Sequence, residues 1–160
     1  MALVHEQLYR SADLSSIAFA DYLAQLIDHL TQAHRPASLR LPIRCEVGGV
    51  ALGIETAIPL GLIVNELVSN AFKHAYAEGA SGEIRVTLNR LEGNQLQLTV
   101  ADGGRGLPAG FEAEQAGSLG MQLVVTLTKQ LGGTLRCASA QGARFDIRFT
   151  PTDNKARLAA

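Results

Sequence analysis

The sequence predicts an α/β two-layer sandwich, in which a mixed, largely hairpin-connected sheet packs against helices. Three observations carry that expectation. Apolar residues alternate in paired short runs, Ile84, Val86, Leu88 and Leu96, Leu98, Val100, on either side of Gly93-Asn94, which is the signature of hairpin strands. A long stretch from Pro59 to His74 instead places Leu60, Val64, Leu67, Val68, Ala71, Phe72 and then Ala75 at i, i+3, i+4 intervals, as a buried helix face does. The strands and helices are segregated, an order that covers one face of a sheet and leaves the helix side to build a site.

Composition narrows the class further. A chain of 160 residues with 47% hydrophobic content has room for one globular domain with a sizeable core and a short appendage. Its formal net charge of -1 and lack of a basic run argue against a nucleic-acid partner. Cys45 and Cys137 are too few for a disulfide framework and lack metal-ligand spacing, which suits two small buried residues in a reducing cytosol. The longest apolar run, Ala57 to Val64, is far short of the ~20 residues a spanning helix needs. The expectation is a cytoplasmic chain with no direct membrane insertion, compatible with the cytosolic part of a membrane receptor.

In chain order, Leu3, Val4 and Leu8 share a face up to about Arg10, where Ser11-Ala-Asp13 reads as a turn. Ser15 or Ser16 then caps a helix to about Ala33, with Ile17, Tyr22, Leu23, Leu26, Ile27 and Leu30 on its apolar face, and Arg35-Pro36 ends it. Leu39, Leu41, Ile43 and Cys45 alternate, and Gly48-Gly49 turns into a short strand near Val50 to Ile54, predicting a first hairpin. The long helix follows, with Pro59 in its first turn. The hairpin of residues 84–100 delivers Asp102 at its tip. A loop leads to Ser118-Leu119-Gly120, which opens a helix to about Leu131. Gly132-Gly133 breaks it, and Thr134 to Ala138 and Arg144 to Phe149 complete the sheet before a polar tail.

Three segments carry candidate chemistry. On the long helix, Glu66, Asn70 and Lys73 fall within about 60° of one another and span roughly 10 Å. A carboxylate, an amide and an ammonium so aligned suit a phosphate and a hard metal, the amide oxygen serving as ligand. Asn65 and Asn70 are also poor helix formers that sit at no cap. Asp102-x-Gly104-x-Gly106-x-Pro108 places an acid at a strand end before glycines that admit close backbone approach. A carboxylate there would accept from the exocyclic amine of adenine and repel the carbonyl of guanine. Gly117-Ser-Leu-Gly-Met-Gln122 opens a helix whose positive end and free N–H groups form an anion site. Taken singly, each has a plainer reading: a solvated helix face, a glycine turn, a serine N-cap. Gly142-Ala-Arg-Phe145 is adequately explained as a tight turn.

In this order these segments resemble the nucleotide site of the GHKL superfamily, named for gyrase, a heat-shock chaperone, histidine kinases and a mismatch-repair ATPase. Asn65 to His74 looks like the N box of sensor histidine kinases, Asp102 to Pro108 like the first glycine box and Gly117 to Val124 like the second. The likeness covers about Leu39 to Phe149 and leans toward the short-lid HWE group, although the tryptophan that defines that group would fall near Val100 and this chain has none. The resemblance implies ATP and Mg²⁺ as cofactors. Asn70 becomes the metal ligand and Glu66 the polarising or general-base residue. Lys73 and His74 become phosphate contacts, Asp102 the adenine acceptor, and Gly104, Gly106, Ser118, Leu119 and Gly120 the backbone-lined remainder. The lid, about Leu107 to Gly117, is short, with Phe111 as the remnant of a phenylalanine box. Ala143 stands where many relatives have threonine.

Leu3 to Ser11 also looks like the second helix of a dimerisation and phosphoacceptor hairpin. The resemblance therefore implies residues 1–34 as the tail of that hairpin with a connecting helix, 35–150 as the ATP-binding catalytic domain and 151–160 as a polar tail. It further implies a full-length homodimer with an upstream phosphoacceptor domain and a response regulator as partners. His5 lies beside Glu6, but relatives carry the acceptor on the first hairpin helix, so His5 is expected not to accept phosphate. His29 and His34 are expected at the surface without a role. The rival readings are an anti-sigma-factor-like serine kinase and a non-catalytic adaptor of the same fold.

Overall fold

In the computed structural model, residues 17–34, 41–77 and 80–152 are described. Strand β1 (Ile17–Ala18) leads into helix α1 (Phe19–Ala33), followed by β2 (Ile43–Val47), β3 (Ala51–Leu52) and helix α2 (Ile54–Asn70), which continues as a π-helical turn over Ala71–Ala75. Then come β4 (Ile84–Arg90), β5 (Leu96–Asp102), helix α3 (Leu119–Gln130), β6 (Thr134–Ser139) and β7 (Ala143–Phe149). Five strands form one sheet in the order β2-β4-β5-β7-β6, and β1 pairs with β3 in a separate ladder. The alternation seen in the sequence determines which face is dry. Ile84, Val86, Leu88, Leu98, Val100 and Ile147 point inward and are buried, as are Leu60, Ile63, Val64 and Leu67 of α2 opposite them. This is the expected two-layer sandwich. Among the described residues no helix is long and apolar enough to cross a membrane.

The β4–β5 hairpin forms as predicted, and its turn uses Gly93 and Asn94, at φ 68° and 63°, the left-handed geometry that glycine and asparagine tolerate best. The predicted first hairpin does not form. β2 pairs in parallel with β4, Ile43 opposite Ile84 and Val47 opposite Leu88, while Ala51 and Leu52 of β3 pair with Ala18 and Ile17. Parallel neighbours need a long crossover, and α2 supplies it. The pairing sets Ile43 and Val47 beside buried inner-face residues, which a two-residue partner strand could not cover.

Two helix starts also differ from expectation. The caps assigned to Ser15 and Ser16 lie outside the described residues, as does the segment containing His5. Helix α1 begins at Phe19 without a side-chain cap, and the Phe19 N–H donates to the Val50 carbonyl at 3.2 Å. Backbone from the β1–β3 ladder thus satisfies a donor that a capping side chain would otherwise meet. Helix α2 starts at Ile54, so Pro59 lies inside the helix and not in its first turn. The hydrogen bond it forfeits would have ended on the carbonyl of Glu55, an exposed residue. The cysteines depart from expectation too: Cys45 is exposed and Cys137 only half-buried.

Helices α1 and α2 meet where Tyr22 crosses Gly61. A Cβ at Gly61 would lie 2.2 Å from Tyr22 Oη, so only glycine admits the ring. The fit leaves the buried Tyr22 hydroxyl with no hydrogen-bond partner among the described residues, and burial pushes its pKa from the ordinary 10.0 up to about 12. Tyr22→Phe is therefore expected to stabilise the protein by about 1 kcal/mol, since it removes an orphaned polar group. The native protein holds the Tyr22 proton above pH 10 while the unfolded chain releases it, so stability contributed by this group falls as pH rises from 10 toward about 12. Urea unfolding across that window checks both points: the Tyr22→Phe protein should lose less stability with pH than the wild type.

Candidate functional site

The end of α2 and the loop after β5 are fastened to each other, and a cavity opens beside the joint. Helix ends leave carbonyls without intrahelical partners, and here the loop provides the donors. The Arg105 N–H donates to the Ala75 carbonyl at 2.8 Å and Arg105 Nε donates to the His74 carbonyl. Tyr76 Oη accepts from the Gly103 N–H at 2.8 Å and donates to the Glu83 carbonyl at 2.8 Å. Burial is the main reason that the Tyr76 phenol pKa is raised. A Cβ on Gly104 would sit 2.1 Å from the Ala75 carbonyl oxygen. Gly104 therefore serves backbone-to-backbone contact with the helix end.

Asp102 ends β5 and is fixed from two sides. Its Oδ1 accepts from the Gly104 N–H at 2.9 Å and from the Ala143 N–H at 3.2 Å. Both of those bonds fall on Oδ1, which leaves Oδ2 without a hydrogen-bond partner among the described residues. The turn that brings Ala143 there requires Gly142, whose φ is 105° and whose Cβ would fall 1.9 Å from the Asp102 carbonyl oxygen. The segment that sequence reading treated as a mere tight turn is thus what holds the carboxylate.

The cavity, about 630 Å³, is lined by Asn70, His74, Asp102, Arg105, Gly106 and Ser118 among polar or backbone groups, with Leu107, Phe111, Met121 and Phe145 among the apolar walls. Phe111, in the short loop after Pro108, packs edge-on against Phe145 with ring centroids 6.4 Å apart. Gly106, at φ 80°, turns the chain so that the Leu107 N–H donates to Ser139 Oγ at 2.9 Å. Ser118 caps α3, its Oγ accepting from the Met121 N–H at 3.3 Å. The N–H groups of Leu119 and Gly120 take no protein acceptor among the described residues.

Of the residues singled out by sequence, Asn70, His74, Asp102, Gly106 and Ser118 line this cavity; Glu66, Lys73, Gly104, Leu119 and Gly120 do not. The π turn accounts for Lys73. Residues in an i→i+5 turn advance by less than the 100° of an α-helix, so the lag carries Lys73 away from the Asn70 face while His74 stays on it. Leu119 points outward, 83% exposed. Glu66 is half-buried, with its carboxylate against the first turn of α3. His34 departs from its expected surface position: its ring stacks on Phe72 at 5.5 Å and Nε2 lies 3.2 Å from Ser69 Oγ. It ties the end of α1 to residues on both sides of Asn70. His29 is exposed as expected, with Nδ1 3.0 Å from the Gln25 carbonyl.

Sequence reading missed Tyr76, Arg105, Ser139 and Phe145. Arg105 stands within the quoted glycine segment, so its position was available; the identity of its acceptor was not. Among the described residues no three His, Cys, Asp or Glu side chains converge to hold a metal. A hard cation here would take Asn70 and the oxygens of a bound ligand, a donor set that suits Mg²⁺ with substrate phosphates.

Comparison with known proteins shows the family of the chain. Residues 55–153, more than half of the chain, match the family described as histidine kinase-, DNA gyrase B-, and HSP90-like ATPase. The chain belongs to this ATPase family. Residues 1–34 match a second family, described as histidine kinase. The chain is 36% identical over 152 residues to the sensor histidine kinase PdtaS of Mycolicibacterium smegmatis, covering 92% of this chain and 29% of that protein. It is 29% identical over 136 residues to blue-light-activated histidine kinase 2 of Erythrobacter litoralis, covering 80% of this chain and 39% of that protein. The solved histidine kinase domain of a blue-light-activated histidine kinase from Erythrobacter litoralis superposes with a TM-score of 0.81 at 25% identity, covering 98% of this chain and 74% of that one. The chain thus spans about a third of the length of these curated relatives. Within this ATPase domain the Gly142 turn is the least replaceable support of the cavity. Gly142→Ala is expected to cost more than about 2 kcal/mol through left-handed strain and overlap with the Asp102 carbonyl, read as a lower urea midpoint at unchanged m value.

Proposed function

We propose that this chain is the Mg-ATP-binding catalytic domain of a two-component sensor histidine kinase, passing the γ-phosphoryl group to a histidine on an upstream phosphoacceptor domain. The observation that carries the proposal is the Asp102 carboxylate, fixed through Oδ1 by two backbone donors in the wall of a cavity that Asn70, His74 and Ser118 also line. The free oxygen suits the adenine amine, Asn70 suits the metal, and His74 with the first N–H groups of α3 suits the phosphates. Lys73, exposed and outside the lining, would contact phosphate only by its side chain reaching in from solvent. In the transfer, the bond from the γ-phosphorus to the bridging oxygen breaks and its electron pair stays with ADP. A P–N bond forms to one imidazole nitrogen, and the proton of the other nitrogen leaves to a base, the role assigned to Glu66. Positioning and electrostatics supply the acceleration.

In the same reading residues 1–34 are the tail of the dimerisation hairpin with its connecting helix, 35–150 the catalytic domain and 151–160 a tail. The parent protein is a homodimer that serves a response regulator. The likeness of residues 1–34 to a histidine kinase segment supports this over the serine-kinase and adaptor readings.

Mg-ATP at about a hundred times its Kd should stabilise the chain by about 2.7 kcal/mol, seen as a rise in melting temperature. Asn70→Ala should abolish the part of that rise that depends on Mg²⁺. An absent rise in the wild type favours the adaptor, and an equal loss with and without Mg²⁺ makes Asn70 structural. Asp102→Asn keeps an oxygen for the Gly104 and Ala143 donors and presents an NH₂ group to the base. It should weaken ATP binding by about 1.5–3 kcal/mol and relax discrimination against GTP, measured by competition binding. Unchanged ATP affinity would remove Asp102 from the base pocket.

A further inference from the structure

We propose that Gly120 is a positioning residue as well as a backbone donor: the side chain it lacks is the space occupied by the Glu66 carboxylate, so the absence of that side chain governs phosphoryl transfer through Glu66. This rests on the kinase reading above for its functional consequence, though not for the contact itself. A Cβ at Gly120 would lie 2.5 Å from Glu66 Oε2 and 3.5 Å from Glu66 Cδ, and outside its own helical turn would meet nothing else within 4 Å among the described residues.

No backbone requirement explains this glycine. Gly106 and Gly142 have left-handed φ values and Gly120 does not; a Cβ on Gly104 or Gly142 would fall 2.1 or 1.9 Å from a backbone oxygen. Gly120 sits in the first turn of α3, and a glycine inside a helix is less stable than alanine by roughly 0.5–1 kcal/mol. What it meets is the far end of a flexible side chain. A methyl group there would leave the α2–α3 packing in place and turn the carboxylate aside. That carboxylate stands against the helix end whose Leu119 and Gly120 N–H groups are the free donors of the site, so displacing it moves the assigned base relative to the phosphates and leaves the adenine end untouched.

The test is a double-mutant cycle of Gly120→Ala and Glu66→Ala in the full-length parent protein that carries the acceptor histidine, with melting temperature, ATP affinity and transfer rate at saturating ATP measured on each variant. Gly120→Ala should keep the ATP Kd within about twofold and slow transfer by about tenfold or more, as loss of a placed base does. In the Glu66→Ala background it should have no further effect on the rate. Combined with Glu66→Asp, whose shorter side chain makes room for the methyl, it should transfer faster than Gly120→Ala alone. The melting temperatures test the contact without nucleotide: Gly120→Ala should raise the value more in the Glu66→Ala background than in the wild type. Equal effects in the two backgrounds, or a Kd weakened by the same factor as the rate, would overturn the proposal and make Gly120 a nucleotide contact or lid hinge. Failure of the wild type to bind Mg-ATP would count against the kinase reading, and the melting-temperature coupling would still decide whether the two groups meet.

Discussion

The joint between the last carbonyls of the long helix and the backbone of the Gly103–Arg105 loop is the constraint on which the rest of the site depends. Those carbonyls have no helical partner, and the Arg105 N–H and guanidinium meet them. The contact is so close that Gly104 has no room for a side chain. Because that loop follows directly from the strand ending in Asp102, the distance between Asn70 and Asp102 is set by backbone hydrogen bonds. Side-chain packing alone would leave it softer.

Much of this was legible in the sequence. The β4–β5 alternation, the Gly93-Asn94 turn, the apolar stripe of α2 and the order of the glycine segments each state a local preference that the tertiary structure keeps. Less legible were features that depend on a distant partner. The parallel pairing of β2 with β4 is invisible in Ile43–Val47, because alternation shows a strand and never its neighbour. The uncapped start of α1 follows from a carbonyl at Val50. His34 looks like any residue at a helix end until Phe72 arrives beside it.

The π turn was beyond sequence reading for a different reason. Helical spacing assumes 100° per residue, and a stripe drawn through Glu66, Asn70 and Lys73 on that assumption fails where the winding changes at Ala71. The change accompanies the joint: the π turn places the His74 and Ala75 carbonyls where Arg105 reaches them. π turns inside α-helices are frequent at functional sites, and the reason here is concrete. The turn brings His74 into the cavity lining with Asn70 and leaves Lys73 exposed outside it.

The polar groups of the cavity are built on different terms. Both hydrogen bonds on Asp102 come from backbone, so this carboxylate needs little reorganisation to receive a ligand. Asn70, His74 and Ser118 instead present side chains to the cavity, and α3 opens beside them with the exposed Leu119. A nucleotide bound as proposed would be gripped by its base at Asp102, with its phosphates beside the exposed His74 and Leu119. That arrangement suits a donor whose acceptor belongs to another domain, because the attacking group must approach from outside the cavity. Under the same proposal Glu66, a half-buried carboxylate outside the lining, would serve transfer more than binding.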